Sequence, residues 1–178
     1  MKIDILMATY NGEKYLREQI DSILNQTYSD FKLLISDDFS QDSTREILHE
    51  YAKKDDRVIV FLQNENLGVT KNFEFLMKKV ENEYFMFADQ DDFWQKDKIQ
   101  KSIEKMHDED CDLVYTNLEV VNQDLKLVNE SYWKLKGFEK KISIFAPEGT
   151  RLLLKHKNEG EDIEIHIGST GMYEIEDI

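Results

Sequence analysis

The hydrophobic positions of the chain change period repeatedly between residues 3 and 116. Short apolar runs, which predict buried strands, alternate with segments whose apolar residues recur every three or four positions, which predict amphipathic helices. This alternation is typical of repeated βαβ units and predicts an α/β fold. The predicted strands are Ile3 to Ala8, Phe31 to Ser36, Val58 to Leu62, Tyr84 to Ala88 and Leu113 to Thr116.

Four helices are predicted between these strands. Ser43 and Glu46 precede the second one, and their spacing predicts a capping box at its start. After the last predicted strand, apolar residues flank Asn122-Gln123-Asp124 and predict a β-hairpin. The apolar stripes that define the helices are Leu16, Ile20, Ile23 and Leu24; Ile47, Leu48 and Tyr51; Phe73, Leu76, Met77 and Val80; and Ile99, Ile103 and Met106.

The turns after three of the strands carry most of the polar chemistry. Right-handed crossovers make the strands parallel, so their carboxyl ends meet at one edge of the sheet. Thr9-Tyr10-Asn11-Gly12, Asp37-Asp38 and Asp89-Gln90-Asp91-Asp92 are therefore expected to converge. Open α/β sheets bind ligands at this edge. The combination of a hydroxyl, an aromatic ring and carboxylates suits a nucleotide diphosphate with its metal.

The carboxylates after the fourth strand predict a cation site with an Asp-x-Asp (DXD) spacing. This spacing occurs three times, and only the copy at Asp89 and Asp91 directly follows a buried-type strand. Carboxylates alone would repel a diphosphate, so the pattern predicts Mn²⁺ or Mg²⁺, hard ions that prefer oxygen ligands. Neither the Walker pattern nor Gly-x-Gly-x-x-Gly is present, which argues against a P-loop NTPase and a dinucleotide dehydrogenase. The other two copies are Asp108/Asp110 and Asp110/Asp112.

Composition excludes some classes of partner and environment for the chain. The 178 residues carry a formal net charge of −14, which argues against binding to nucleic acid. The single cysteine, Cys111, excludes an internal disulfide and fits a reducing cytoplasm. No apolar run is long enough for an export signal or a membrane span, so the sequence predicts a soluble, cytoplasmic chain. The lysines of Lys134 to Lys141 predict a solvated face, with peripheral contact to the inner face of a membrane as the alternative.

Four ordered motifs resemble those of a known family. They are Leu6-Met7-Ala8-Thr9-Tyr10-Asn11-Gly12, Ser36-Asp37-Asp38, Asn66-Leu67-Gly68 and Asp89-Gln90-Asp91-Asp92-Phe93-Trp94. In this order and spacing they resemble family 2 glycosyltransferases, nearest to the bacterial rhamnosyltransferase-like enzymes of cell-surface polysaccharide synthesis. The resemblance covers residues 1–130. It implies a GT-A fold, a Rossmann-like and mostly parallel sheet with helices on both faces and a small mixed β region after the metal motif.

The resemblance also implies an activity and a set of site residues. The activity is the inverting, metal-dependent transfer of a sugar from a UDP- or dTDP-linked donor to a polysaccharide or lipid-linked glycan acceptor. The implied roles are nucleoside contact for Thr9, Tyr10 and Asn11; recognition of the base for Asp38; ribose or metal contact for Asp89; metal ligation for Asp91; and the sugar pocket for Asp92 and Trp94, with Asp92 taking part in catalysis.

Most of the residues in these motifs also have a purely structural alternative. Polar residues and glycine initiate turns, an acidic residue complements the start of a helix, and a tryptophan anchors a core. The residues with these alternatives are Thr9, Asn11, Asp37 and Asp38 as turn residues, Gly12 as a positive-φ position, Tyr10 as a surface aromatic, Asp92 at a helix start and Trp94 in the core.

The rest of the chain matches no motif clearly. Residues 131–178 are expected to be a partial, truncated or replaced acceptor-side segment, beside a nucleotide-sugar-binding domain at residues 1–130. The acidic pair Glu161 and Asp162 precedes a strand-like alternation from Ile163 to Ile167. This pattern predicts a loop before an edge strand, and the functional alternative makes Asp162 the general base of the reaction.

Two other functions fit the same residues. One is a nucleotide-sugar-binding module without turnover, whose acceptor half a partner chain would supply. The other is a Mg²⁺-dependent nucleotidyltransferase, which would also hold its metal with carboxylates on an α/β sheet. A nucleotidyltransferase needs a basic group that faces the triphosphate near the first strand, and Lys2 and Lys14 are poor candidates for it.

Overall fold

The structure is a computed structural model of the whole chain. It describes residues 1–108, 113–114, 116–122 and 124–132 with their side chains. Residue 109 and the strands at 142–144, 151–155, 162–166 and 173–175 are described by their backbone.

Strands and helices alternate through residue 109, as the period of the hydrophobic positions predicts. The first four strands match their predicted boundaries to within one residue. The elements are β1 (Ile3–Thr9), α1 (Leu16–Leu24), β2 (Phe31–Asp37), α2 (Thr44–Lys54), β3 (Val58–Leu62), α3 (Val69–Met77), β4 (Tyr84–Ala88) and α4 (Lys98–Glu109).

The first four strands form a parallel sheet in the order β3-β2-β1-β4. Thr9 at the end of β1 pairs in register with Asp37 at the end of β2, and Met7 of β1 pairs with Ala88 at the end of β4. The carboxyl ends of these strands therefore lie at one edge, with β1 in the middle. The predicted α/β fold with a mostly parallel sheet is confirmed.

The core of this region lies between the sheet and its helices. Ile5, Leu6 and Met7 are successive residues of β1 and all are fully buried. A central parallel strand is covered on both faces, which is why it reads as a continuous apolar run. Ile20 and Ile23 bury the apolar side of α1. Each such side chain contributes about 1.5–3 kcal/mol when it is fully buried.

Two local predictions are wrong. Ser43 precedes α2 but its side chain makes no capping bond. Instead, the carboxylate of Asp42 accepts the Thr44 N–H at 3.0 Å, and that of Glu13 accepts the Ser43 N–H at 2.9 Å. The predicted strand at Leu113 to Thr116 does not form either, because residues 113, 114 and 116 lie outside any strand.

The chain divides into two compact units, Met1–Lys101 and Ser102–Ile178. The boundary falls inside α4, whereas the division of function at residue 130 stays a prediction. In the second unit, β5 (Val120–Val121) and β6 (Leu127–Asn129) form the predicted hairpin. Further antiparallel pairs join β7 (Ile142–Ile144) to β10 (Tyr173–Ile175) and β8 (Arg151–Lys155) to β9 (Asp162–His166).

Several predictions fall on residues outside the described part of the chain. These residues are Asp110, Cys111, Asp112, Lys134 to Lys141 and Glu161. Within the described part, no helix is both long enough and apolar enough to cross a membrane.

Candidate active site

The turns after β1, β2 and β4 contact one another at the carboxyl edge of the sheet. The Asp38 N–H donates to the Thr9 carbonyl oxygen at 2.8 Å. The Tyr10 N–H donates to Oε1 of Gln90 at 2.9 Å. The sequence prediction that these three turns converge is therefore confirmed, and all of them belong to the first unit.

Gln90 joins the acidic turn to the first turn. Its Nε2 also donates to the Tyr10 carbonyl oxygen at 3.2 Å, so one side-chain amide binds both backbone polar groups of Tyr10. Gly12 permits this approach, because a Cβ atom at that position would lie 2.4 Å from Oε1 of Gln90. The positive φ in this turn belongs to Asn11, at 48°, and not to Gly12. The interpretation of Gly12 as a positive-φ position is therefore wrong.

Asp37 has a structural role. Its carboxylate is fully buried and pairs with Nε of Arg45 at 2.7 Å. It also accepts the Ser40 N–H at 3.0 Å and the Thr9 hydroxyl at 3.2 Å. Arg45 is held in place by a second bond, from Nη2 to the Gln63 carbonyl oxygen at 2.6 Å. These bonds satisfy the Asp37 carboxylate within the protein.

Asp38 holds the turn between β3 and α3. Its two carboxylate oxygens accept the N–H groups of Leu67 at 2.7 Å and Gly68 at 2.9 Å. This contact explains why Asn66-Leu67-Gly68 accompanies Asp38 in the sequence, with Gly68 at a φ of 82°. Each carboxylate oxygen has a second lone pair, so recognition of a base by Asp38 stays a prediction.

The side chains of Thr9 and Asn11 also bind other parts of the protein. Thr9 is buried and donates to Asp37. Oδ1 of Asn11 accepts the Gln41 N–H at 2.9 Å, and the Asn11 N–H donates to Oγ of Ser40 at 2.9 Å. The ring of Tyr10 makes surface in this turn available to a ligand, because the residue is 46% exposed.

The acidic turn between β4 and α4 has a different electrostatic character. Loss of water raises the pKa of Asp89, and the negative charge of Asp91 raises it further, while Lys98 partly offsets both effects. Loss of water also raises the pKa of Asp92, with a further contribution from the charge of Asp89. The pKa of Lys98 is lowered, because loss of water outweighs its attraction to Asp92 and Asp89. This turn therefore concentrates negative charge that Lys98 only partly compensates.

The side chains that fix the acidic turn were missed by the sequence analysis. Gln19, Ser22 and Gln26 recur at three- and four-residue spacing along and just after α1, and all are buried. That helical spacing on a helix with an apolar stripe was the available signal. Their bonds run from Gln19 Nε2 to the Asp89 carbonyl (2.9 Å), from the Trp94 N–H to Ser22 Oγ (3.0 Å), from Gln26 Nε2 to the Gln95 carbonyl (2.7 Å) and from the Ile99 N–H to Gln26 Oε1 (3.1 Å).

Three further residues predicted for the site differ in burial and in the unit to which they belong. Trp94 is only 2% exposed, as its alternative role as a core anchor predicts, and Nζ of Lys98 lies 4.6 Å from its ring centroid. Asp92 is half-buried beside it on the acidic turn. Asp162 is the first residue of β9 in the second unit, and its side chain lies outside the described part of the chain. Its catalytic role stays a prediction.

The oxygen ligands of the acidic turn are too few to enclose a cation completely. In the part of the chain described with side chains, no group of three or more His, Cys, Asp or Glu residues is arranged to hold a metal. A site built on Asp89 and Asp91 would therefore take its other ligands from solvent or from a bound molecule.

Solved structures share this fold. The structure of Staphylococcus aureus TarS 1-349 in complex with UDP matches with a TM-score of 0.59 and 25% sequence identity, over 68% of this chain and 42% of the TarS 1-349 chain. TarS has the GT-A fold of glycosyltransferases, and the parallel sheet described above places this chain in the same class of fold.

Sequence comparison identifies the family. The Glycosyl transferase family 2 profile matches residues 4–166, and the chain belongs to this family. The dTDP-rhamnosyl transferase RfbG of Shigella flexneri is 43% identical over 116 residues, which are 62% of this chain and 38% of RfbG. An Escherichia coli relative, the UDP-Glc:alpha-D-GlcNAc-diphosphoundecaprenol beta-1,3-glucosyltransferase WfgD, is 30% identical over 122 residues, which are 68% of this chain and 47% of WfgD. The chain thus spans less than half the length of these relatives.

Proposed function

We propose that this domain transfers a sugar from a nucleotide-diphosphate donor to a glycan acceptor. One observation carries the proposal. The acidic Asp89-Gln90-Asp91 turn is bonded through Gln90 to the turn of Tyr10, so the acidic turn and the turn with an exposed aromatic are held together at the carboxyl edge of the sheet. A nucleoside diphosphate has the two matching parts, an aromatic base and a charged diphosphate.

The acidic turn suits a divalent cation. Asp89 and Asp91 supply carboxylate oxygens, the ligands that Mg²⁺ and Mn²⁺ prefer, and two protein ligands leave coordination positions for phosphate oxygens and water. Loss of water and, after it, the negative charge of Asp91 raise the pKa of Asp89, and a cation would compensate that negative charge. When bound there, the cation would stabilise negative charge on the diphosphate leaving group.

The chain's own residues bind and orient the donor. Tyr10 flanks the nucleoside with its exposed ring, and Asp38 accepts from the base with a lone pair that Leu67 and Gly68 leave free. Thr9 and Asn11 shape this part of the site through their bonds to the turn after β2. Asp92 borders the sugar, where its carboxylate favours the positive charge that develops on the anomeric carbon.

The transfer itself inverts the anomeric centre in this proposal. The acceptor hydroxyl oxygen attacks the anomeric carbon as the bond to the diphosphate oxygen breaks, and the diphosphate leaves with the electron pair. A carboxylate takes the acceptor proton, which contributes a factor of roughly 10²–10⁴ in rate. We assign this role to Asp162, the acidic residue at the start of β9.

The donor and the acceptor follow from the chemistry named for the relatives. RfbG is named for a dTDP-linked rhamnosyl donor, and WfgD for UDP-glucose and a diphosphoundecaprenol-linked acceptor. We therefore propose a UDP- or dTDP-linked donor and a surface-polysaccharide or lipid-linked acceptor. A lipid-linked acceptor fits a cytoplasmic enzyme at the inner face of the membrane. A partner chain is the alternative source of acceptor contacts.

Calorimetry tests the donor half of the proposal. The chain is titrated with UDP, dTDP, GDP and the matching triphosphates, each with Mn²⁺ and with EDTA. We expect a diphosphate to bind with Mn²⁺ and to bind more weakly with EDTA. A preference for triphosphates would favour a nucleotidyltransferase, and no binding of any nucleotide would contradict the proposal.

An assay of transfer tests the catalytic half. Donor hydrolysis and transfer to a lipid-linked acceptor are compared in the wild-type chain and in Asp162→Asn. We expect the substitution to slow transfer while donor affinity stays the same. Donor binding without transfer or hydrolysis would favour a nucleotide-sugar-binding module.

A further inference from the structure

Phe39 has an unusual backbone conformation directly after Asp38. Its φ is 67°, in the left-handed region that a bulky side chain rarely adopts. Such a conformation costs free energy and persists only where the surrounding structure enforces it, which is common at ligand sites. The conformation of Phe39 therefore makes its aromatic ring a candidate for contact with a ligand.

The ring is fixed by its surroundings but is not part of the core. The guanidinium carbon of Arg45 lies 5.3 Å from the ring centroid. Arg45 is itself held by Asp37 at 2.7 Å and by the Gln63 carbonyl oxygen at 2.6 Å. Phe39 nevertheless remains 39% exposed. Packing inside the protein thus accounts for only part of the ring surface.

Hydrogen bonds join the turn that carries Phe39 to the turn that carries Tyr10. Tyr10 precedes Asn11 and Phe39 precedes Ser40, and the Asn11 N–H donates to Oγ of Ser40 at 2.9 Å. A second bond, from the Gln41 N–H to Oδ1 of Asn11 at 2.9 Å, holds the same two turns together. Two turns that each carry an exposed aromatic residue are thereby held together at the carboxyl edge of the sheet.

We propose that Phe39 contacts the nucleobase of the donor by stacking, while Tyr10 flanks the nucleoside from the neighbouring turn. This inference rests on the proposed function and extends it to a residue of the base site. A planar ring that is fixed in position loses little entropy on stacking, and every nucleobase has a π face to receive it. The position beside Asp38, the residue assigned to the base edge, supplies the second element of base recognition.

The experiment compares an aromatic with an aliphatic side chain at the same backbone position. Phe39→Tyr keeps the ring, whereas Phe39→Leu keeps an apolar group without a π face. Both variants retain a Cβ atom, so both carry the same backbone strain as the wild type. Phe85→Leu is the matched control. Phe85 is also 39% exposed but lies within β4, away from the carboxyl end of the strand where the site lies.

Affinity is measured by calorimetry with Mn²⁺, for pyrophosphate and for whichever of UDP, dTDP and GDP the wild-type chain binds best. Phe39→Leu is expected to weaken binding of the nucleoside diphosphate about tenfold, the scale of one lost base stack. Its affinity for pyrophosphate should not change. Phe39→Tyr and Phe85→Leu should bind both ligands like the wild type. Thermal unfolding identifies variants that do not fold, and Phe39→Met replaces Phe39→Leu in that case.

Equal affinity of the wild type and the folded aliphatic variant for the nucleoside diphosphate would overturn this inference alone. An equal loss for pyrophosphate and for the nucleoside diphosphate would also overturn it, because the effect would then not concern the base. If the wild-type chain bound none of the three nucleotides, the proposed function would fail and this inference with it.

Discussion

Two groups of carboxylates lie at the same edge of the sheet, and they differ in what they bind. After β2, Asp37 pairs with Arg45 and Asp38 accepts two backbone N–H groups, so both charges are satisfied within the protein. After β4, loss of water and mutual repulsion raise the pKa of Asp89 and Asp92. In the sequence the two groups look alike. Their partners distinguish a group that holds the fold from one that is available to a ligand.

The largest effect on folding is expected at Asp37. Asp37→Ala removes the buried partner of Arg45 and should lower the free energy of unfolding by about 3–5 kcal/mol. Asp91→Ala is the control, because Asp91 is exposed and surface substitutions usually stay within about 0.5 kcal/mol. Urea unfolding of both variants measures the difference. Similar losses of unfolding free energy in the two variants would contradict the distinction between the carboxylates after β2 and those after β4.

A smaller loss of stability is expected for Asp38→Ala than for Asp37→Ala. Asp38→Ala leaves the N–H groups of Leu67 and Gly68 without their charged acceptor, and we expect a loss of about 1.5–3 kcal/mol in stability. If Asp38 also accepts from the base, nucleotide affinity without metal should fall by about one to two decades. Unchanged nucleotide affinity in the folded variant would show that Asp38 only stabilises the turn and does not bind the base.

The link between the acidic turn and the turn of Tyr10 should be the least costly to disturb. Gly12→Ala forces Gln90 to move, because its Oε1 lies where the new Cβ atom would come within 2.4 Å. The expected cost is about 1 kcal/mol, since the end of a flexible side chain yields but loses its bonds to Tyr10. In a Gln90→Ala background the same substitution should cost almost nothing. Equal costs in both backgrounds would show that Gln90 is not the obstacle.

The elements of the sheet could be predicted because their signals are local. A buried parallel strand such as β1 is apolar at successive positions, and α1 repeats its apolar residues at helical spacing. The convergence of the three turns then follows from parallel topology. The same local pattern gave a wrong prediction at Leu113 to Thr116, because residues 113, 114 and 116 lie outside any strand.

Other parts of the site could not be predicted because they depend on distant residues. Gln19 and Gln26 look like ordinary polar residues near a helix, but their partners lie about seventy residues further along the chain. Ser43 has the spacing of a capping box, yet Asp42 and Glu13 bind the N–H groups at the start of that helix. The need for glycine at position 12 arises only from the approach of Gln90. Spacing along the chain does not identify the partners in these contacts.

The most direct test of the account is the metal dependence of nucleotide binding in Asp91→Asn. The amide keeps the shape of the side chain and removes the charge that would hold the cation. The wild type and the variant are titrated with the same nucleoside diphosphate, once with Mn²⁺ and once with EDTA, and their melting temperatures are compared. We predict equal melting temperatures, equal affinity in EDTA, and an increase in affinity with Mn²⁺ only in the wild type. The same increase in both proteins would contradict the assignment of the acidic turn as the metal site.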